Sequence, residues 1–196
     1  MKTSKPVPAN ARATTFVGGG TGSMLVISQN TISGPPIANV DAVEMIPGVA
    51  SEVPAGAAWS LHGVTSNDRY TTRTEKTELV GKQAPVGRPE ATRAALFLLR
   101  KRAEWWALTQ DERRAVLEAE SHHIAIGMRY LPAVARLLLH CRDLDQQAPF
   151  DFIGYLDFAP ESEAAFDEMI MRLRATAEWS FMEREIEIRL SKKIQR

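Results

Sequence analysis

The chain has 196 residues, of which 44% are hydrophobic and 24% are charged, the composition of an ordinary globular protein. Lysine plus arginine and aspartate plus glutamate number 24 each, so the formal net charge is zero and gives no support to a nucleic-acid or membrane-surface partner. The single cysteine, Cys141, excludes an internal disulfide framework and a cysteine-rich metal site.

The sequence carries no pattern of targeting or membrane insertion. No apolar run approaches the ~18 residues that a membrane-spanning helix needs. The basic N-terminus, MKTSKPVPANARATTF, is not followed by the apolar stretch of a signal peptide. We therefore expect a cytoplasmic protein, or a periplasmic one if a leader has been removed.

The N-terminal half has weak hydrophobic periodicity. Residues 1–12 are rich in Pro, Ala, Ser and Lys and are predicted to be a disordered tail. The segment FVGGGTGSMLVIS predicts a turn that leads into a strand, and AAWSLHGVTSNDRY predicts a further strand. Residues 32–58 are rich in Pro, Gly and Ala and are predicted to be loops with at most one short helix. Residues 74–90 are predicted to be a polar connection.

After residue 91 the pattern is clearer. The run TRAALFLLRKRAEWW predicts a strand, and Thr109 with Glu112 forms a capping box that begins a helix to about Met128. Pro132 interrupts, and ARLLLHCRDL and FDFIGYLDF predict two strands. The segment APESEAAFDEMIMRLRA has apolar residues at i, i+3, i+4 and i+7 and predicts a helix. The alternation in EIEIRL predicts a last strand.

This order of elements, β-α-β-β-α-β, is that of a ferredoxin-like unit. We therefore predict an α+β fold in which residues 91–196 form one such unit. Residues 13–90 are predicted to form a degenerate second unit, although no sequence repeat is visible. Side by side, the two units would make an open-faced barrel with helices outside.

Two adjacent histidines lie in the predicted helix over 110–128. Adjacent helical residues point about 100° apart, so the two histidines cannot share one site. On a helical wheel His123 lies inward among Val116, Ala119, Ile126 and Gly127, whereas His122 lies at the edge of this stripe. The residues alone leave open whether His123 is a core histidine bonded to a carbonyl or a metal ligand.

A lone inward histidine restricts the kind of metal site. Zinc needs three or four protein ligands, whereas a haem iron needs only one, because the porphyrin supplies four. Gly127, one turn after His123, would let a flat group approach the helix, but a glycine near a helix end is the simpler interpretation.

Several segments carry a family likeness. WWALTQDERRAVLEAESHHIAIGMRYLPAVARLLLHCRDL, FDFIGYLDFAP and LRATAEWSFMEREIEIRL closely resemble the chlorite dismutase family of haem b enzymes. The resemblance extends from about Ser66 to Leu190 and is greatest to the short, dimeric branch, although the loop CRDLDQQAPFDF is longer by about two residues. It implies a homodimeric, α/β-barrel-type haem protein with iron protoporphyrin IX. The implied reaction converts chlorite to chloride and molecular oxygen through a ferric-haem and iron-oxo cycle.

The resemblance also implies roles for individual residues. His123 matches the proximal iron ligand, and Glu178 matches the carboxylate that accepts a hydrogen bond from its imidazole. Arg136, 13 residues after His123 and past a proline, matches the flexible distal arginine and is the expected catalytic residue. The remaining matches are Lys101 in the proximal network, Gln83 in the distal pocket, and Trp105, Trp106, Trp179 and Tyr70 near the haem.

These residue types suit the implied chemistry. A ligand imidazole needs an acceptor for its second N–H, and a carboxylate there pushes electron density toward the iron. Arginine stays charged and offers several donors, so Arg136 could attract chlorite and retain a hypochlorite leaving group.

Two alternatives stay open. One is oxidative decarboxylation of coproporphyrin haem by sister enzymes, which carry a neutral residue at the distal arginine and tend to lack a Glu178-type partner. The other is a non-catalytic haem-binding protein, which needs His123 but not Arg136. The cluster GGGTG lacks the GK[ST] ending and following helix of a phosphate loop, so no nucleotide site is expected.

Overall fold

The computed structural model describes residues 12–50, 53–65 and 69–193, so the predicted disordered tail lies outside the described residues except for Arg12. The strands are β1 (Ala13–Gly19), β2 (Met24–Ser33), β3 (Ala42–Pro47), β4 (Ala57–Val64), β5 (Arg93–Lys101), β6 (Ala135–His140), β7 (Phe152–Phe158) and β8 (Met182–Lys192). The α-helices are α1 (Arg73–Lys82), α2 (Ala103–Ala107), α3 (Gln110–Arg114), α4 (His123–Met128) and α5 (Glu163–Arg174). A π-helical turn covers Ala115–Glu120, and 3₁₀ turns cover Pro160–Ser162 and Ala177–Phe181. No helix within these ranges is long and apolar enough to cross a membrane.

The eight strands form one closed antiparallel barrel, in the order β1-β3-β2-β8-β5-β7-β6-β4. The prediction of an α+β fold made of two ferredoxin-like units is therefore wrong. Strand β8 pairs with β2 on one side and with β5 on the other, and β4 meets β6 at Val64 and His140. The predicted order of elements after residue 91 is present, but its four strands belong to the same closed barrel as the four strands that precede them. Closure gives partners to the backbone groups at edges that an open sheet would leave unpaired.

Strand β5 is apolar along its length because both of its faces are buried. Successive strand residues point to opposite sides. Leu96 and Leu98 belong to a cluster that contains buried residues of all eight strands and fills the barrel interior. Phe97 and Leu99 belong to a second cluster, in which Phe166 and Ile170 of α5 pack on the outside of the barrel.

The only cysteine lies in the interior cluster. Cys141 is 4% exposed, and burial raises the pKa of its thiol to about 12.

Several predicted stretches differ from the structure. The segment predicted as loops contains β3, and the polar connection contains α1, which begins with a capping box of Thr72 and Glu75. Helix α1 buries only Leu79, so it lacks the apolar period by which a helix is recognised. The end of the run TRAALFLLRKRAEWW is helix α2 and not strand.

The glycine cluster over residues 18–22, at the end of β1 and in the turn that follows it, serves packing within the barrel. A side chain at Gly18 would overlap the ring of Trp59, its partner on β4, and one at Gly22 would meet the backbone of Val43. The amide and the hydroxyl of Ser23 donate to the Glu44 carboxylate at 2.6 and 3.0 Å. A carboxylate of the protein itself therefore accepts hydrogen bonds at this turn.

Candidate functional site

The helix predicted over 110–128 is interrupted just before His123. The capping box of Thr109 and Glu112 is confirmed, and α3 follows it. After the π-helical turn, His122 has φ 53°, in the left-handed region, and α4 begins at His123. Such π-helical turns and strained backbone conformations are frequent at functional sites. His122 is exposed, whereas the His123 side chain is 28% exposed and faces Glu178.

His123, Glu178 and Lys101 form a continuous chain of contacts. His123 Nδ1 lies 2.6 Å from Glu178 Oε2, and Lys101 Nζ lies 2.5 Å from Glu178 Oε1. Because an ionised carboxylate only accepts, Nδ1 carries the proton in this contact. The Glu178 and Lys101 side chains are 4% and 3% exposed.

The charges around Glu178 keep it ionised. Burial alone would raise the pKa of Glu178, but the charge of His123 and its hydrogen bond, together with Lys101, hold it at about 2. Burial lowers the pKa of Lys101, and the neighbouring Glu178 carboxylate opposes this shift. The pair is a buried ion pair whose carboxylate keeps one oxygen for the imidazole.

Backbone contacts fix this chain in place. Glu178 lies in the 3₁₀ turn after α5, and its N–H donates to Ser121 Oγ at 2.8 Å. Lys101 is the last residue of β5, and its N–H donates to Asp151 Oδ2 at 2.7 Å. The sequence reasoning missed Ser121, because no local pattern shows that its hydroxyl meets a backbone N–H 57 residues further along the chain.

Arg136 and Gln83 lie beside the histidine helix. Arg136 is a half-buried residue of β6, and its Nη1 would be 3.2 Å from a Cβ at Gly127, one turn after His123 on α4. Gln83, directly after α1, donates from Nε2 to the Arg136 carbonyl oxygen at 3.2 Å. The absence of a side chain at Gly127 thus lets the planar guanidinium reach α4.

The predicted aromatic residues divide into two groups. Trp105 is 1% exposed, has Lys101 Nζ 4.5 Å from its ring centroid, and makes an edge contact with Tyr70 at 6.2 Å. Trp106 stacks on Phe152 with its ring 6.0 Å away. Within the described residues, the Trp105 Nε1 is buried without a hydrogen-bond partner, whereas that of Trp106 donates to Asp151 at 3.3 Å.

The other aromatic residues have partners of their own. Trp179 donates from Nε1 to Glu185 at 2.7 Å. The Tyr70 hydroxyl accepts from Arg113 at 3.3 Å, and its backbone has φ 61°. Trp105 and Tyr70 therefore lie on the Lys101 side of the site, while Trp179 is tied to β8.

The donors at this site fit a haem with one protein ligand. Among the described residues no cluster of three or more His, Cys, Asp or Glu side chains could hold a metal ion. His123 uses Nδ1 for Glu178, and within the same residues Nε2 has no hydrogen-bond partner, which leaves it available as a ligand. The unpaired Trp105 N–H is a buried donor suited to a carboxylate such as a haem propionate. The fold and the site together define a class: a β-barrel protein with a carboxylate-bonded histidine whose second ring nitrogen could bind a haem iron.

Comparisons with known proteins agree with this class. The sequence model of the family described as "Chlorite dismutase" matches residues 51–194. The chain belongs to the chlorite dismutase family of haem proteins. A dimeric chlorite dismutase from Nitrobacter winogradskyi is 44% identical, with a TM-score of 0.84, over 92% of this chain and 99% of that one.

More distant relatives share the fold. Chlorite dismutase from Candidatus Nitrospira defluvii in complex with imidazole is 20% identical, with a TM-score of 0.65, over 91% of this chain and 90% of that one. A variant of the same enzyme is 19% identical, with a TM-score of 0.67, over 92% and 91% of the two chains. No curated protein matches the chain.

Proposed function

We propose that the protein is a haem b chlorite O2-lyase, which converts chlorite to chloride and molecular oxygen. The observation that carries this proposal is the pairing of a carboxylate-bonded histidine, His123, with an arginine, Arg136, on the strand beside its helix. When bound, the haem supplies the redox-active iron at which the bonds of chlorite are rearranged.

The Nδ1 proton of His123 lies in the hydrogen bond to Glu178. Nε2 of His123 is the proposed iron ligand, and Glu178 Oε2 accepts the Nδ1 proton at 2.6 Å. A charged acceptor raises the basicity of the imidazole and lowers the reduction potential of the iron that it binds. Lys101 compensates the charge of Glu178, so that the carboxylate stays ionised in a buried position.

Arg136 is the proposed binding group for the anion. Its guanidinium is a permanent cation with several donors, which suits binding of chlorite and retention of a hypochlorite fragment until the oxygen–oxygen bond forms. Gln83 donates from its side-chain amide to the backbone carbonyl oxygen of Arg136. This contact would help to position the Arg136 side chain. An arginine cannot act as a base at neutral pH, so its role is electrostatic.

The proposed assembly is a homodimer. The relative from Nitrobacter winogradskyi is described as dimeric, and this chain covers 99% of its length. Sedimentation equilibrium of the purified protein tests this part of the proposal, and a monomer at micromolar concentration would contradict it.

The test of the reaction uses purified, haem-loaded protein. We expect a Soret band, and oxygen evolution from chlorite at an oxygen electrode. Arg136→Ala should retain the Soret band and lose about a hundredfold in oxygen evolution, the usual effect of removing one electrostatic donor. Arg129→Ala, which changes an exposed arginine after α4, is the matched control and should evolve oxygen like the parent.

Two results would contradict the proposal. Unchanged oxygen evolution in Arg136→Ala would remove the proposed role of the arginine. A Soret band without oxygen evolution in the parent would instead favour decarboxylation of coproporphyrin haem or non-catalytic haem binding, and decarboxylation is recognised by mass spectrometry of the porphyrin.

A further inference from the structure

The helix that carries His123 begins without a side-chain cap of its own. Helix α4 starts at His123, and its N-cap residue, His122, makes no capping hydrogen bond. The first amides of a helix have no acceptor within the helix. Those of the second and third positions, Ile124 and Ala125, are the ones that an N-cap side chain ordinarily satisfies.

Glu118 supplies both acceptors from the preceding π-helical turn. Ile124 N donates to Glu118 Oε2 at 2.7 Å, and Ala125 N donates to Oε1 at 3.3 Å. The carbonyl oxygen of Glu118 also accepts the N–H of His122 at 3.0 Å. Both carboxylate oxygens therefore connect the π-helical turn to the first turn of α4, across the interruption of the helix at Ser121 and His122.

A residue of the same interruption also binds Glu178, the hydrogen-bond partner of the imidazole. Ser121 is 3% exposed, and its Oγ accepts the N–H of Glu178. Glu118 thus fixes the first turn of α4, which carries His123, while Ser121 fixes the backbone of Glu178. The distance of 2.6 Å between Nδ1 and Oε2 depends on both backbones being in place.

We propose that Glu118 is a positioning residue for His123. By capping α4 it sets the orientation of the imidazole toward Glu178 and, in the proposed haem site on which this inference rests, toward the iron. Groups that orient a ligand in this way commonly affect metal affinity and redox properties without touching the metal.

Removal of the Glu118 carboxylate leaves two amides without an acceptor. The first turn of α4 then frays, and the imidazole no longer keeps a single orientation against Glu178. A weaker hydrogen bond to Glu178 makes the imidazole a poorer electron donor, so the iron becomes easier to reduce and the haem is held less tightly.

The first experiment uses the haem-free protein and measures hydrogen–deuterium exchange. In Glu118→Ala the amides of residues 123–128 should exchange roughly five- to thirtyfold faster, the factor that corresponds to loss of one helix cap. Glu118→Gln keeps one acceptor oxygen and should fall between this variant and the parent. Glu120→Ala is the matched control, because Glu120 is exposed and its side chain has no hydrogen bond or ion pair within the described ranges.

The second experiment adds haem and measures affinity and potential. Haem affinity, from Soret titration, should fall about tenfold in Glu118→Ala, and the midpoint potential of the bound iron should rise. A general loss of stability would weaken binding but would not raise the potential of the haem that remains bound. Should Glu118→Ala fail to fold, Glu118→Gln decides, with smaller changes of the same sign.

Unchanged exchange at residues 123–128, or an unchanged potential, would overturn the inference. None of these measurements uses chlorite. A haem-loaded parent that evolves no oxygen therefore contradicts the proposed reaction alone, whereas a parent that binds no haem overturns the reaction and the inference together.

Discussion

Glu178 accepts hydrogen bonds from two nitrogen donors at a place that excludes water. Its side chain is 4% exposed, and its two oxygens are divided between His123 and Lys101. A carboxylate in this setting serves the imidazole only while it is charged, and His123 and the buried Lys101 together keep it charged.

Glu178→Gln tests this dependence directly. The amide is nearly the same size, but it takes away the carboxylate charge that is hydrogen-bonded to the buried Lys101, so the free energy of unfolding should fall by about 3–5 kcal/mol. Urea denaturation of the haem-free protein measures this loss. Glu183→Gln is the matched control, since Glu183 pairs with Arg100 at the surface and should change stability by less than about 1 kcal/mol. Equal effects of the two substitutions would contradict the role of the buried pair.

The low pKa of Glu178 also predicts a pH dependence of stability. The pKa is about 2 in the folded protein against 4.5 in the reference state, so folding favours the ionised form. This contribution is fully present above pH 4.5 and is lost as the pH falls toward 2, by roughly 3 kcal/mol in total. The free energy of unfolding, measured by urea titration across this window, should fall more steeply in the parent than in Glu178→Gln. Parallel slopes would show that the carboxyl group titrates normally.

At the scale of elements, the glycine cluster at the end of β1 has a packing role that differs from one glycine to the next. The Trp59 indole covers Gly18 from the paired strand and donates to the Ala38 carbonyl oxygen at 3.1 Å. A Cβ at Gly18 would lie 2.1 Å from the indole, whereas one at Gly20 would meet no atom within 4 Å.

Gly18→Ala should therefore destabilise the barrel, and Gly20→Ala should not. The added methyl group displaces Trp59 and breaks its hydrogen bond, at a cost of about 1–3 kcal/mol. Thermal denaturation of both variants, followed by far-ultraviolet circular dichroism, measures the difference. The idea fails if the two substitutions lower the melting temperature equally.

The elements also show what the sequence could and could not predict. Strands β5, β7 and β8 and helix α5 were predicted because each carries a period of two, a continuous apolar run or an i, i+3, i+4 pattern over its length. The break before α4 was not predicted, because π-helical turns and a left-handed residue leave no periodic signal, and the wheel assumed one unbroken helix. The wheel selected His123 even so, since His123 and Gly127 both follow the break and keep their helical spacing.

The closure of the barrel could not be predicted from local sequence patterns. Pairing of β2 with β8 joins residues more than 150 positions apart, such as Met24 and Lys192. Hydrophobic periodicity identifies a strand and its buried face, but it does not specify the neighbour. Similarly, Lys101, His123 and Glu178 come from three distant segments, and the sequence placed them together only through the family resemblance.

For the whole molecule, the shared strand β5 predicts cooperative unfolding. Leu98 packs in the barrel interior and Phe97 in the outer cluster with α5, so loss of β5 disrupts both clusters. Tryptophan fluorescence and far-ultraviolet circular dichroism of the haem-free protein should report one coincident transition in urea.

Leu98→Ala and Phe97→Ala provide the comparison. Each should lower the free energy of unfolding by about 2–5 kcal/mol and shift the same single transition. Two separated transitions, or a substitution that moves only one of the two signals, would show that the interior and outer clusters unfold independently.

The burial of Cys141 determines which sulfur side chains would be oxidised first in the presence of the proposed substrate. Because the thiol pKa is about 12, almost no thiolate exists at neutral pH, and thiolate is the form that oxidants attack. The side chain of Met171, in contrast, is 64% exposed on α5. Sulfur damage by stray hypochlorite would therefore begin as methionine sulfoxide at the surface and would leave the barrel interior intact.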